Sequence, residues 1–353
     1  MPSAEAPQET EGAAGLASDV WASNDRASAL VRLGLSLLES TAMPDVPRAL
    51  ACFDRALAVR LALPVDDSPI LRYDLGGVWL NRADALLRTA PPRVDEAVRS
   101  FDAAIELLER LPHEGDPRFS RRLAIAHQNR GLAHRSRNPA ATASAVMDFV
   151  RAIDVLERDT CAALIDRDPL MATVWVNLAD LQVDEETTDA WRRAVQSADQ
   201  ARRLIAGRER SDLAASAVGL KARHVCCRAL ARCLTTAAEA AATANIPSDL
   251  DDDVHAATDA AEEGLDLARF WETRGVTRHR EVSHDLFRFG LQVYSAFQPQ
   301  FVAEFAFDYL CGPKHLKACA GDPALRTASQ QAIVTASARA SAGVRPDGAT
   351  RRR

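Results

Sequence analysis

Three segments of the chain repeat one pattern at a fixed spacing. They are ALACFDRALA from Ala49, AVRSFDAAIE from Ala97 and AVMDFVRAID from Ala145. Each carries an alanine, a phenylalanine four residues on and an alanine three further: Ala49-Phe53-Ala56, Ala97-Phe101-Ala104 and Ala145-Phe149-Ala152. Offsets of four and three fall on one face of a helix. Every member stands 48 residues from its counterpart. A second element keeps the same period upstream. WLNRADAL from Trp79, HQNRGLAH from His127 and WVNLADLQ from Trp175 carry Asn81, Asn129 and Asn177, each followed two residues later by a small residue (Ala83, Gly131, Ala179). Two markers on one period require a repeating supersecondary unit. Such a unit buries its apolar face only by stacking on its neighbours.

Prolines divide the remainder. Pro44 and Pro47, Pro64 and Pro69, Pro91 and Pro92, Pro112 and Pro117, Pro139, Pro169 and Pro247 all fall between stretches of helical apolar spacing. Proline inside a helix removes a hydrogen bond and clashes with the preceding turn. The intervals therefore predict helices of roughly 15 to 22 residues. Composition points the same way. Aromatic residues are only 5%, whereas alanine, the strongest helix former, is plentiful. A β-rich fold of this size needs more β-branched and aromatic residues.

These residues resemble the tetratricopeptide repeat. That family carries a Trp and a Leu-Gly-like pair on its first helix, and Ala-x3-Phe then Ala on its second. Its usual unit is about 34 residues, against 48 here. The resemblance is clear over residues 29–157. It extends in weaker form to Leu33-Gly34 in the first unit, and to Trp175, Ala179, Ala194, Ala198 and Ala201 in the fourth, where alanine replaces phenylalanine. The fifth unit runs through Cys227 and a loop at NIPSDLDDD. Ser248 with Asp251 then starts a helix bearing Ala257, Ala261 and Gly264, and the sixth unit uses Gly290 with Ala303 and Phe307. The implied fold is all-α: a right-handed α-solenoid of about six tetratricopeptide-like hairpins over residues 21–320. Asp322-Pro323 opens a C-terminal capping helix over 321–343; residues 1–20 are expected to be disordered and 344–353 to form a basic flexible tail.

In this family the first helices line a concave groove that takes an extended peptide or a helix of a partner. The asparagine two before the small residue faces that groove in many members. Its amide offers both a donor and an acceptor to a peptide backbone. The resemblance thus makes Asn81, Asn129 and Asn177 a polar ladder, with Asp84, Gln128, Arg135 and Asp180 beside it and Lys221 in the fifth unit. A second reading has the asparagines satisfying backbone groups between repeats. One subset of the family grips a C-terminal carboxylate with two asparagines plus Lys and Arg from three successive units. Only Asn177 and Lys221 match here; Gln128, Leu132 and Val225 occupy other positions of that clamp. Binding of that peptide class is not expected, and Lys221 reads as a solvated helix residue.

The function expected is therefore a protein-interaction scaffold or adaptor with a protein or peptide partner, and no enzyme activity. The alternative is a helical-toroid carbohydrate-processing enzyme. It would need two carboxylates across a pocket, for which Asp84 and Asp180 are the nearest candidates. Aromatic sugar platforms are scarce. No catalytic residue, metal or cofactor is expected. His279 and His284 are not in an HExxH motif, and Cys226, Cys227 and Cys233 lack a second ligand pair at zinc-site spacing. Asp251–Asp253 lacks the alternating ligands of a calcium loop. Arg192, Arg193, Arg202, Arg203, Arg208 and Arg210 read as a solvated face paired with Asp189, Asp199 and Glu209.

A formal charge of -6 argues against a nucleic-acid partner. Seven cysteines without paired CxxC knuckles suit reduced thiols. The acidic N-terminus lacks the build of a signal peptide, and no apolar run reaches the length of a membrane span. A cytoplasmic protein without membrane contact is expected; the sequence sets no oligomeric state.

Overall fold

A computed structural model describes residues 8–40, 44–137, 141–241 and 249–341. Among them every regular element is helical. The chain forms two compact units, Met1–Arg167 and Asp168–Arg353.

The first unit contains α1 (Gln8–Glu39), α2 (Val46–Leu61), α3 (Pro69–Leu87), α4 (Val94–Glu109), α5 (Pro117–Arg137) and α6 (Thr142–Leu156), followed by a 3-10 turn, Asp159–Cys161. Pro47, Pro69 and Pro117 fall in the first turns of α2, α3 and α5, where a missing N–H is harmless, and Pro44, Pro64, Pro91, Pro92 and Pro112 lie in the loops. Ser68 shows how: its hydroxyl accepts from Leu71 N at 3.4 Å, and Pro69 opens α3. The first helix begins at Gln8, inside the segment expected to be disordered. Its alanine- and glutamate-rich composition, read as polar disorder, is also strongly helix-forming. The expected tail, 344–353, and the proposed cap Ser248 lie outside the described residues.

Each helix of this unit packs on the next, and α3 also touches α1 and α5. The odd-numbered helices thus form one layer and the even-numbered ones the other. Phe53, Phe101 and Phe149 are all fully buried. The glycines explain how they fit. A Cβ on Gly34 would stand 2.6 Å from the Phe53 ring, and one on Gly131 would stand 2.8 Å from Phe149. The small residue of the first helix is thus the notch that receives the phenylalanine of the second.

Arginines add a second device on the same period. Arg82 of α3 donates to Asp54 of α2 at 2.7 Å and to Ser100 of α4 at 2.8 Å. Its counterpart one period on, Arg130 of α5, donates to Asp102 of α4 at 2.7 Å and to Asp148 of α6 at 2.6 Å. His127 adds a contact to Asp148 at 3.2 Å. Burial pushes the Asp148 carboxyl up, but hydrogen bonds from His127 and Arg130 outweigh it and hold the group below its ordinary value. One guanidinium fork reaches two carboxylates, which a lysine ammonium does less well.

The second unit contains α7 (Arg167–Val183), α8 (Thr188–Leu204), α9 (Leu213–Ala241), α10 (Asp249–Glu272), α11 (Arg280–Phe297), a 3-10 turn (Pro299–Phe301), α12 (Val302–Leu310), α13 (Lys317–Ala320) and α14 (Pro323–Ser341). From α8 to α11 each helix packs on the next, and α9 also touches α11. Ala194, Ala198 and Ala201 of α8 and Ala257 and Ala261 of α10 are fully buried. Aromatic bulk returns at the end. The Phe305 ring lies 5.4 Å from Phe287, 5.0 Å from Tyr294 and 5.3 Å from Tyr309.

The last hairpin corrects the sixth-unit register. Phe305, not Phe307, lies against Gly290, and Phe307 is 58% exposed. Ala303 is exposed as well, while Val302 and Ala306 are buried. The 3-10 turn that precedes α12 re-phases its faces. The final helix opens as expected: Asp322 accepts from Ala324 N at 2.8 Å and from Leu325 N at 3.4 Å. It packs on α11 and α12 and seats Leu325 in the core.

Candidate functional site

In the first unit the sequence-marked residues lie on α3 and α5. Asn81 and Asn129 are both half-buried. Asp84 is held by Arg88 one turn on, at 2.9 Å. Gln128 is half-buried, and its enclosed Oε1 has no hydrogen-bond partner among the described residues. An enclosed amide oxygen without a donor is costly, of order 1–3 kcal/mol. Arg135 is half-buried in the last turn of α5.

In the second unit the arrangement is tighter. Asn177 and Asp180 of α7 are both buried. Asn177 Oδ1 accepts from Lys221 Nζ of α9 at 3.0 Å, and the same ammonium lies 3.4 Å from Asp180. Arg228 of α9 donates to Asp180 at 2.7 Å and to Asp184 at 2.9 Å. Helical spacing accounts for this. Residues 177 and 180 share one face of α7, Asp184 follows directly on its C-terminal end, and 221, 224 and 228 share one face of α9. His224 continues the strip, 3.8 Å from Asp285 of α11, which lies 3.7 Å from Arg288. Burial lowers the His224 basicity despite the neighbouring Asp285.

Lys221 is part-solvated, as the sequence suggested, but it is also bonded to α7. Its stem crosses to α7, and its side chain is only 42% exposed. Asp184, His224, Arg228 and Asp285 join the surface without having been singled out in sequence. The signal was present in KARHVCCR, where Lys221, His224 and Arg228 follow a three-then-four spacing on one helix face.

The arginine cluster near α8 pairs partly as expected, through Arg202 and Asp199, and partly with other carboxylates. Arg202 bonds Asp199 and Glu263, Arg193 meets Glu185, and Arg192 lies 3.6 Å from Asp253. Glu209 instead takes Arg223. Asp84 and Asp180 belong to different units, and each has cationic partners of its own. Cys226 and Cys227 are buried, and burial pushes the Cys226 thiol up to about 12. Among the described residues no group of three or more His, Cys, Asp or Glu side chains is placed to hold a metal. No helix among them is long and apolar enough to cross a membrane.

Set against known proteins, the chain matches no family model and no curated protein.

Proposed function

We propose that the protein is an interaction scaffold, a right-handed array of tetratricopeptide-like hairpins whose odd-numbered helices present a polar face to a partner peptide or helix. The observation that supports this best is the meeting of Asn177 and Lys221, at consecutive odd-numbered helices, over Asp180. A buried amide and carboxylate cost desolvation unless they are hydrogen-bonded. Here they are kept polar at the edge of an alanine-rich core, within reach of solvent through Lys221 and Arg228. Donors and acceptors alternate along that strip, as a peptide backbone requires.

Purified full-length chain screened against a random peptide library tests the reading. Expected is a peptide whose binding protects the α7 and α9 amides from hydrogen exchange and weakens about tenfold or more in Asn177→Ala and Lys221→Ala, the scale of one charge-assisted bond. Protection elsewhere, with both variants binding normally, overturns the assignment of the surface.

The carbohydrate-enzyme alternative gains nothing from the geometry. Its two candidate carboxylates, Asp84 and Asp180, lie in different units, and Asp180 is ion-paired with Lys221 and Arg228.

A further inference from the structure

A cavity of about 420 Å³ lies in the second unit, between the end of α10, the start of α11 and α13. That volume falls in the ordinary range of small-molecule sites. Gly275, at φ 84°, turns the chain over one side of it; the left-handed conformation there suits a residue without a Cβ. The lining includes Glu272, Thr277, His279, Arg280, Ser283 and Lys317.

The polar groups of this lining are unevenly satisfied. Glu272 is fully engaged: its two oxygens accept from the backbone N–H groups of Lys317 and Ala318 at 2.7 and 2.8 Å. The Ser283 hydroxyl donates to the His279 carbonyl at 2.7 Å. His279 differs. It is only 7% exposed, and its Nε2 is enclosed without a hydrogen-bond partner among the described residues. Arg280 and Lys317 are exposed at the rim and form no ion pair among those residues. Arg278, next in sequence to His279, spends one donor on the Leu213 carbonyl. The cavity thus has a committed carboxylate, two uncommitted cations and an imidazole nitrogen lacking a partner.

We propose that this cavity binds a small organic anion, with its carboxylate or phosphate group held by Arg280 and Lys317 and a polar atom hydrogen-bonded to His279 Nε2. An anionic oxygen is the chemistry that answers all three groups at once. A guanidinium and an ammonium supply charge-assisted donors, and the imidazole in either tautomer has a nitrogen to share. The site stands apart from the strip on α7, α9 and α11, and it does not depend on the scaffold reading.

The test is calorimetric titration of the full chain with citrate and, separately, with inorganic phosphate, and with glycerol as an uncharged control. One-site binding of citrate or phosphate is expected, with none for glycerol. Citrate alone identifies a carboxylate ligand, and phosphate alone a phosphorylated one. The double variant Arg280→Ala/Lys317→Ala removes only exposed side chains, so it should keep its helix content. Its affinity should fall at least tenfold, since each charge-assisted bond lost is of that order. His279→Gln keeps an amide donor and acceptor and should bind more tightly than His279→Ala. The bound anion should also move the His279 ring resonances of the unmodified protein. No heat from either anion up to about 10 mM, a concentration that reports even very weak binding, overturns the proposal. So does undiminished binding by the double variant.

Discussion

Where α2, α4 and α6 each drive a phenylalanine against the preceding helix, α8 offers Ala194, Ala198 and Ala201, and α10 offers Ala257, Ala261 and Gly264. The first unit fills the space between helices with a large ring and carves a notch for it. The second lets small residues face one another and concentrates its aromatic rings in the last hairpin. The charges divide in the same way. In the first unit Arg82 and Arg130 each bind across three successive helices. In the second the counterpart position is Leu178, which is buried. There the cations Lys221 and Arg228 bind laterally, along the odd-helix face. One helical period therefore carries two uses of charge: fastening the stack, or lining a surface.

The largest effect that distinguishes the two units should come from Phe101→Ala. It should lower stability by ~3–5 kcal/mol, the usual cost of emptying a buried aromatic site. Ala198→Gly at the matching place in the second unit should cost about 1 kcal/mol, mostly from helix propensity. Urea unfolding of each variant measures both, and equal losses would erase the contrast. Next is Asp148→Ala, which leaves Arg130 and His127 facing an empty site; about 3 kcal/mol is expected, as for a broken buried ion pair. Its pH dependence has a definite sign. The folded group is held below its unfolded value, near 3.9 for Asp, so its contribution is full above about pH 4 and fades as pH falls through the folded value. Denaturation of wild type and variant at pH 7 and pH 3 should show the gap narrowing in acid; a gap that widens in acid contradicts the network.

Gly131→Ala is a smaller and sharper test. In an open helix this change stabilises by up to about 1 kcal/mol. Here the new methyl meets the Phe149 ring, and overpacking should reverse the sign, to a loss of ~1–3 kcal/mol. The smallest effects belong to the outer ends of the arginine links. Asp54 and Asp102 are about half exposed, so Asp54→Ala or Asp102→Ala should cost only ~0.2–1 kcal/mol and less still in salt.

The period, the helix count of the first unit and the final cap were legible in the sequence because each depends on local spacing: Phe four after Ala, Gly or Ala two after Asn, Asp before Pro. The arginine links sit inside the same motifs, in NRAD and NRGL, but their partners lie in neighbouring helices, which local spacing does not encode. Phe305 and Phe307 both sit on α12. Spacing alone favoured the wrong one, because the 3-10 turn before that helix shifts its faces. The pairing of Lys221 is hidden for a related reason. Its acceptor, Asn177, is 44 residues upstream, and whether a long cation reaches water or a neighbouring helix is decided by the crossing of α7 and α9, which no local pattern encodes.

The 48-residue period also sets a ruler. In the 48 residues from Pro69 to Asp116, α3 takes 19 and α4 takes 16, and the loops after them take the rest. At 19 and 21 residues, α3 and α5 run about 28 and 32 Å. A face built from helices this tall is deeper than one extended strand can cover. On the first unit this wall is about three times as tall as a helix is wide, roughly 10 Å.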